Sequence, residues 1–187
     1  MNGVRTAPIH MSRPKSIDRG LVLDAAERIV VEQGASHLTF ESVSREVGVT
    51  KGGIQSCFGT KEGLVTAMLK RWGENYDDAV RQLPESGGPF KDAKDHVRLT
   101  AVSHDLNARS AGLLAALMQS KEQVAFARDW YARHAEGFDL QTEEGRRARV
   151  AFFATEGIFL LRYLGLADIG QAAWDEFFLD VEHFLLK

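Results

Sequence analysis

Apolar residues recur along this chain at helical spacing, and no stretch keeps the alternation of a half-buried strand. In residues 16–33, Val22, Ala25, Ala26, Ile29 and Val30 fall at i, i+3, i+4, i+7 and i+8, which predicts an amphipathic helix with Ser16 as candidate N-cap and Gly34 as its stop. Thr39 then caps a short second helix with an apolar face of Phe40, Val43 and Val47, and Leu38 before the cap is placed to staple onto Val43. Gly48 ends it. Thr50 repeats the device for a third helix, with Val49 placed to staple onto Ile54. Two short stapled helices around a glycine turn form a helix-turn-helix. A longer fourth helix runs from Thr60 to about Leu83, carries Leu64, Ala67, Met68, Arg71 and Trp72 on related faces, and ends at the loop Pro84-Glu85-Ser86-Gly87-Gly88-Pro89. Further helices are predicted over 90–106, 109–118, 121–137, 143–164 and 168–186, so the expected fold class is all-α.

Helix three contains Gly52 and Gly53 side by side, behind Lys51 in its first turn. Glycine in a helix interior costs about 1 kcal/mol relative to alanine, and a cation in the first turn opposes the macrodipole. Lys61 repeats the second conflict at the start of helix four, after the Thr60 cap. A polyanion lying across both helix starts removes both penalties, because small residues permit close approach while amides, hydroxyls and lysines favour phosphate. The candidate DNA-binding residues are therefore Thr39, Thr50, Lys51, Gly52, Gly53, Gln55, Ser56, Thr60 and Lys61. The competing reading gives the glycines to close packing between helices. A phosphate-binding P-loop does not fit, since Gly59-Thr60-Lys61 has the wrong order and no strand before it.

The 187 residues are 44% hydrophobic, enough for one or two domains with a sizeable core. The net charge of −3 is unevenly spread: residues 1–15 hold Arg5, Arg13 and Lys15 without an acid, which makes residues 1–62 taken together net positive while the remainder is net negative. An anion-binding surface is expected in the N-terminal third. No apolar run reaches the length of a membrane span and no apolar segment follows the N-terminal charges, so the expected location is cytoplasmic. Cys57 is the only cysteine and forms no internal disulfide; its ordinary role is that of a small apolar residue. No acid–base pair, nucleophile with a neighbouring histidine, or metal cluster stands out, so no cofactor, metal or enzymatic activity is expected.

The run Ala25-Ala26-Glu27-Arg28-Ile29, Glu32-Gln33-Gly34, Leu38-Thr39-Phe40-Glu41-Ser42-Val43, Gly48-Val49-Thr50-Lys51-Gly52-Gly53-Ile54 and Phe58-Gly59-Thr60-Lys61-Glu62-Gly63-Leu64 resembles the N-terminal DNA-binding domain of TetR-type transcriptional regulators. The resemblance implies a basic arm over 1–15, a helix-turn-helix domain over 16–63, and a helical effector-binding and dimerisation domain over 64–187. Two positions depart from the family pattern. Gln55 stands where the family commonly has tyrosine, and Cys57 where histidine or tyrosine precedes the phenylalanine. The family side chains there touch the DNA backbone; Gln55 offers instead the groups for an adenine edge or a phosphate.

In the second half, Val150 to Leu161 are apolar nearly all round, and Trp174, Phe177, Phe178, Val181, Phe184 and Leu185 form an aromatic stripe. This surplus predicts a homodimer interface through Phe153, Leu160, Trp174, Phe177, Phe178 and Val181. Candidate effector-pocket residues are His96, Thr100, His104, Leu117, Phe126, Trp130, Phe152 and Glu156, the histidines lying with Thr100 at i, i+4, i+8 on one predicted helix. Surface or hydrogen-bonded histidines and an aromatic core are the competing readings. A carboxylate such as Glu156 in an apolar run needs a partner, for which Arg162, a group from a second chain and a ligand cation are the candidates. Many of the remaining aromatics, Tyr131 and Phe159 included, favour a hydrophobic, aromatic effector. The expected function is a DNA-binding regulator, a repressor released from a palindromic operator by a small molecule. A ligand-responsive activator, or a helical adaptor or enzyme without DNA binding, is the alternative.

Overall fold

The computed structural model describes residues 17–84, 90–117 and 121–187. The predicted cap Ser16, the basic arm and residues 85–89 of the predicted loop lie outside the described residues, as does the side chain of Leu117. Among the described residues nine α-helices run in order: α1 Arg19–Gln33, α2 Phe40–Val47, α3 Lys51–Phe58, α4 Lys61–Gln82, α5 Lys91–Val102, α6 His104–Leu117, α7 Lys121–Ala135, α8 Glu143–Tyr163 and α9 Gln171–Leu185. One 3-10 turn, Ala35–His37, sits between α1 and α2.

Local chemistry places the first four helices. Asp18, not Ser16, caps α1, its carboxylate accepting from the amides of Gly20 and Leu21; an anion is the better partner for a helix start. Thr39 Oγ1 accepts from the Ser42 amide while Ser42 Oγ accepts from the Thr39 amide, which closes a capping box at α2. Gly48 stops α2 in the left-handed conformation at φ 72°, where a side chain would be strained. Thr50 and Thr60 cap α3 and α4 by accepting from Gly53 and Gly63. Leu38, Val43, Ile54, Leu64 and Met68 are then buried with Val22, Ala26 and Ile29, forming a core among α1 to α4 that Leu113 and Leu114 of α6 and Phe126 of α7 extend.

The second core joins α5, α8 and α9 through Val97, Ala151, Phe159, Trp174, Phe178 and Val181. Three of the residues expected at the dimer interface belong to it. Trp174 is fully buried with its indole N–H on the Ala101 carbonyl, and Phe178 and Val181 are buried beside it, because α9 turns this stripe onto α5 and α8. Phe177 and Leu160 are half-buried, and Phe153 is 52% exposed. The outward faces of α8 and α9 are still apolar, with Val150, Phe153, Leu161, Leu179 and Phe184 all exposed.

The predicted helix 90–106 breaks at Ser103, and α6 starts at once. Asn107 holds the corner, its side-chain amide donating to the Thr100 carbonyl at 2.7 Å and its backbone amide to the Ser103 carbonyl. Among the described residues no helix is long and apolar enough to cross a membrane.

Candidate nucleic-acid interface and internal cavity

The exposed surface of α3 and the starts of its neighbours carry the residues expected to meet a polyanion. Thr39, Thr50, Lys51, Gly52, Gln55, Ser56 and Thr60 are exposed, and Gly53 and Lys61 are half-buried. The Oγ atoms of Thr39, Thr50 and Thr60 already serve as caps. Among the described residues neither Lys51 nor Lys61 lies in an ion pair, whereas Arg28 is paired with Glu46 and Arg71 with Asp24 and Glu27. The start of α4 attracts anions: backbone amide, then the Thr60 hydroxyl, hold the exposed Glu62 carboxyl below the usual carboxylate range.

Two contacts the sequence reading missed fix α3. Arg19, the first residue of α1, donates to the Cys57 carbonyl at the far end of α3 and lies 4.4 Å over the Phe58 ring. At the near end, a Cβ on Gly53 would fall 2.5 Å from Ile17 Cδ1 and 3.2 Å from Thr50 Oγ1. A side chain at Gly53 would displace the end of Ile17 and crowd the Thr50 cap, so the protein's own packing favours glycine there. A Cβ on Gly52 would meet nothing, so internal packing does not account for Gly52.

The second feature is a cavity of about 40 Å³ lined by α4, α5, α6, α7 and α8. Of the candidate effector-pocket residues, His96, Thr100, Phe126, Trp130 and Glu156 line this cavity, with Trp72, Tyr76, Asn107, Ser110, Tyr131 and Phe159 among the other walls. Phe152 lies behind the wall, its ring centroid 4.6 Å from that of His96. His104 is not part of it: the break at Ser103 puts this residue on the next helix, where Nδ1 lies 2.9 Å from the Tyr163 hydroxyl and the ring faces Trp174. Of the missed residues, Tyr76 had a signal, since it follows Trp72 by one helical turn.

The polar part of the cavity is one chain of contacts. Tyr131 Oη donates to Glu156 Oε2 at 2.5 Å; Glu156 Oε1 lies 2.9 Å from His96 Nε2; and His96 Nδ1 lies 2.8 Å from Tyr76 Oη. The Nε2 contact has the distance of an ion pair but not the alignment of a hydrogen bond, so it is electrostatic in kind. Arg162, expected as the Glu156 partner, instead lies over the Trp174 ring and donates to Gln171. Burial, and after it the charge of Glu156, push both tyrosine hydroxyls far above the usual phenol range, so each remains a donor. Burial lowers the neighbouring His134, which stacks on Trp130 with ring centroids 3.9 Å apart. Trp72 meets Trp130 at 5.3 Å between centroids, and its indole N–H donates to Ser110 Oγ.

Comparison with known proteins adds the following. A family model described as "Bacterial regulatory proteins, tetR family" matches residues 22–68, and one described as "Tetracyclin repressor-like, C-terminal domain" matches residues 91–183. No curated protein matches the sequence. The fold is similar to that of a transcriptional regulator from Rhodococcus sp. Rha1, with a TM-score of 0.69 at 14% identity over 91% of this chain and 96% of that one. It is also similar to a regulator from Saccharomonospora viridis solved with choline (TM-score 0.64, 14% identity, 89% of this chain and 95% of that one). A third similar structure is the multidrug binding protein EbrR solved with imidazole (TM-score 0.59, 21% identity, 87% and 93%).

Proposed function

We propose that this chain, which belongs to the TetR family of DNA-binding transcriptional regulators, is a homodimeric repressor released from a palindromic operator when a small molecule enters the cavity among α4 to α8. The observation that carries this reading is the position of α4. Its first residue, Lys61, stands at the candidate DNA face, and Trp72 and Tyr76 on the same helix are walls of the cavity. Arg71, between them, is paired with Asp24 and Glu27 of α1. A ligand that moves Trp72 therefore moves Lys61 and pulls on α1 together.

The cavity supports an effector that reshapes it. At about 40 Å³ it has room for a few water molecules, whereas sites for drug-sized ligands span roughly 300–1,000 Å³. Binding must push the aromatic walls apart, and the work of doing so is what biases the DNA-binding helices. The apolar outward faces of α8 and α9 supply a surface for a second copy, so two α3 helices would meet successive major grooves. A regulator of this kind works in the cytoplasm, where its operator is.

Selection of bound sequences from random DNA tests the reading: the expected product is a palindrome with half-sites about one turn apart. On that sequence Lys61→Ala should weaken binding to all variants alike and lower the salt slope by about 1 for each phosphate contact removed. Recovery of no preferred sequence would count for the adaptor alternative.

A further inference from the structure

The cavity is built of aromatic rings around a single carboxyl group. Among its described lining residues Glu156 is the only side chain of the Asp, Glu, Lys and Arg group, and Trp72, Tyr76, Trp130 and Tyr131 stand on the same walls. Glu156 is 9% exposed, and no lysine or arginine among the described residues lies at ion-pair distance from it. Its compensation is one phenol, from Tyr131, and one misaligned imidazole nitrogen, from His96. His96 Nε2 is itself fully buried without a well-formed hydrogen bond, so the weak joint of the network faces into the cavity. A buried carboxylate held this way attracts a cation and repels an anion, and the surrounding π-faces add to the first preference.

We propose that the effector is an organic cation, an ammonium-type group on an apolar or aromatic body, which takes the place of His96 against Glu156 and lays its body between Trp72 and Trp130. The assignment rests on the reading of this cavity as the effector seat. His96 then occupies the place beside Glu156 that the ligand cation takes. On binding, its ring leaves Glu156 and keeps Tyr76, so ligand charge and the α4 side chain Tyr76 are coupled through one imidazole.

The test uses three compounds of one shape and different charge: benzylammonium, benzyl alcohol and benzoate. Each is titrated into the full-length protein by calorimetry and by tryptophan emission, with and without operator DNA. Benzylammonium should bind at least tenfold more tightly than benzyl alcohol, and benzoate should be the weakest. Glu156→Gln should remove most of that preference, weakening benzylammonium far more than benzyl alcohol. His96→Met should act in the opposite direction and tighten benzylammonium, because the carboxylate loses its resident partner. Circular dichroism shows whether Glu156→Gln folds; if it does not, the ranking of the three compounds and the sign of the His96→Met effect decide. Equal binding of the cation and the alcohol, a preference for benzoate, or no binding of benzylammonium overturns the inference. Operator release by the neutral compound alone would leave the repressor reading standing without the cation. Cation binding through Glu156 without operator release would support the inference and sink the repressor reading.

Discussion

Gly52 and Gly53 are adjacent and identical, yet only one is explained from within the fold. Ile17 and the Thr50 cap occupy the space of a Gly53 side chain, while Gly52 faces open space. Gly52→Ala should therefore stabilise the isolated protein, by up to about 1 kcal/mol in urea denaturation, and at the same time weaken operator binding if the backbone must approach the groove there. A variant both more stable and equally tight on DNA would remove Gly52 from the interface. Thr155 is the mirror case inside the molecule: it is fully buried, and its hydroxyl has no hydrogen-bond partner. Thr155→Val keeps the shape and drops the unsatisfied group, so stability should rise by about 1 kcal/mol; a loss in urea denaturation would reveal a partner for that hydroxyl. Glu156 shows the limit of sequence at this scale. Its need for a partner was legible from an acid in an apolar run, but its partners come from α5 and α7, and no local rule connects them.

At the scale of elements, the caps from Gly34 onward and the apolar faces of α1 to α3 were legible, and the facing of α9 was not. Thr39, Thr50, Thr60, Gly34 and Gly48 all act where their spacing put them, because a cap is satisfied within three or four residues of itself. The corner at Ser103 carries neither proline nor glycine and depends on Asn107 reaching back to Thr100, which periodicity does not register. That one miss moved His104 from the cavity wall to the neighbourhood of Trp174. In α9, spacing identified an aromatic stripe but could not say which way the helix faced, and the stripe belongs largely to the protomer. The consequence is testable with two substitutions of the same kind. Phe178→Arg buries a charge in the core and should cost several kcal/mol, about enough to unfold a domain of ordinary stability. Phe153→Arg, on the exposed face of α8, should leave a folded chain by circular dichroism but a monomer in sedimentation, with much weaker operator binding. A dimer that survives Phe153→Arg would place the interface elsewhere.

At the scale of the whole molecule, the cavity and the candidate DNA face are joined by two helices rather than one. Besides α4, helix α6 lines the cavity with Leu106, Asn107 and Ser110, while Gly112 on the same helix sits against Val30 and Val31 of α1. A Cβ at Gly112 would lie 3.4 Å from Val31, so the helices are already in close contact there. The sequence gave no sign of this second link through α6, since a contact between Gly112 and Val31 spans far more chain than any periodic pattern covers.

The smallness of the empty cavity also sets a clock. A ligand larger than a few waters cannot enter until Trp72 parts from Trp130 and its indole leaves Ser110, so entry waits on an opening that the ligand does not accelerate. In stopped-flow mixing, the observed rate of tryptophan quenching should level off as ligand concentration rises, and the plateau is the opening rate of the walls. Ser110→Ala, which frees the indole, should raise that plateau. With the proposed effector seated here, the same parting of the walls should slow its departure, so the response should outlast a brief pulse of the compound.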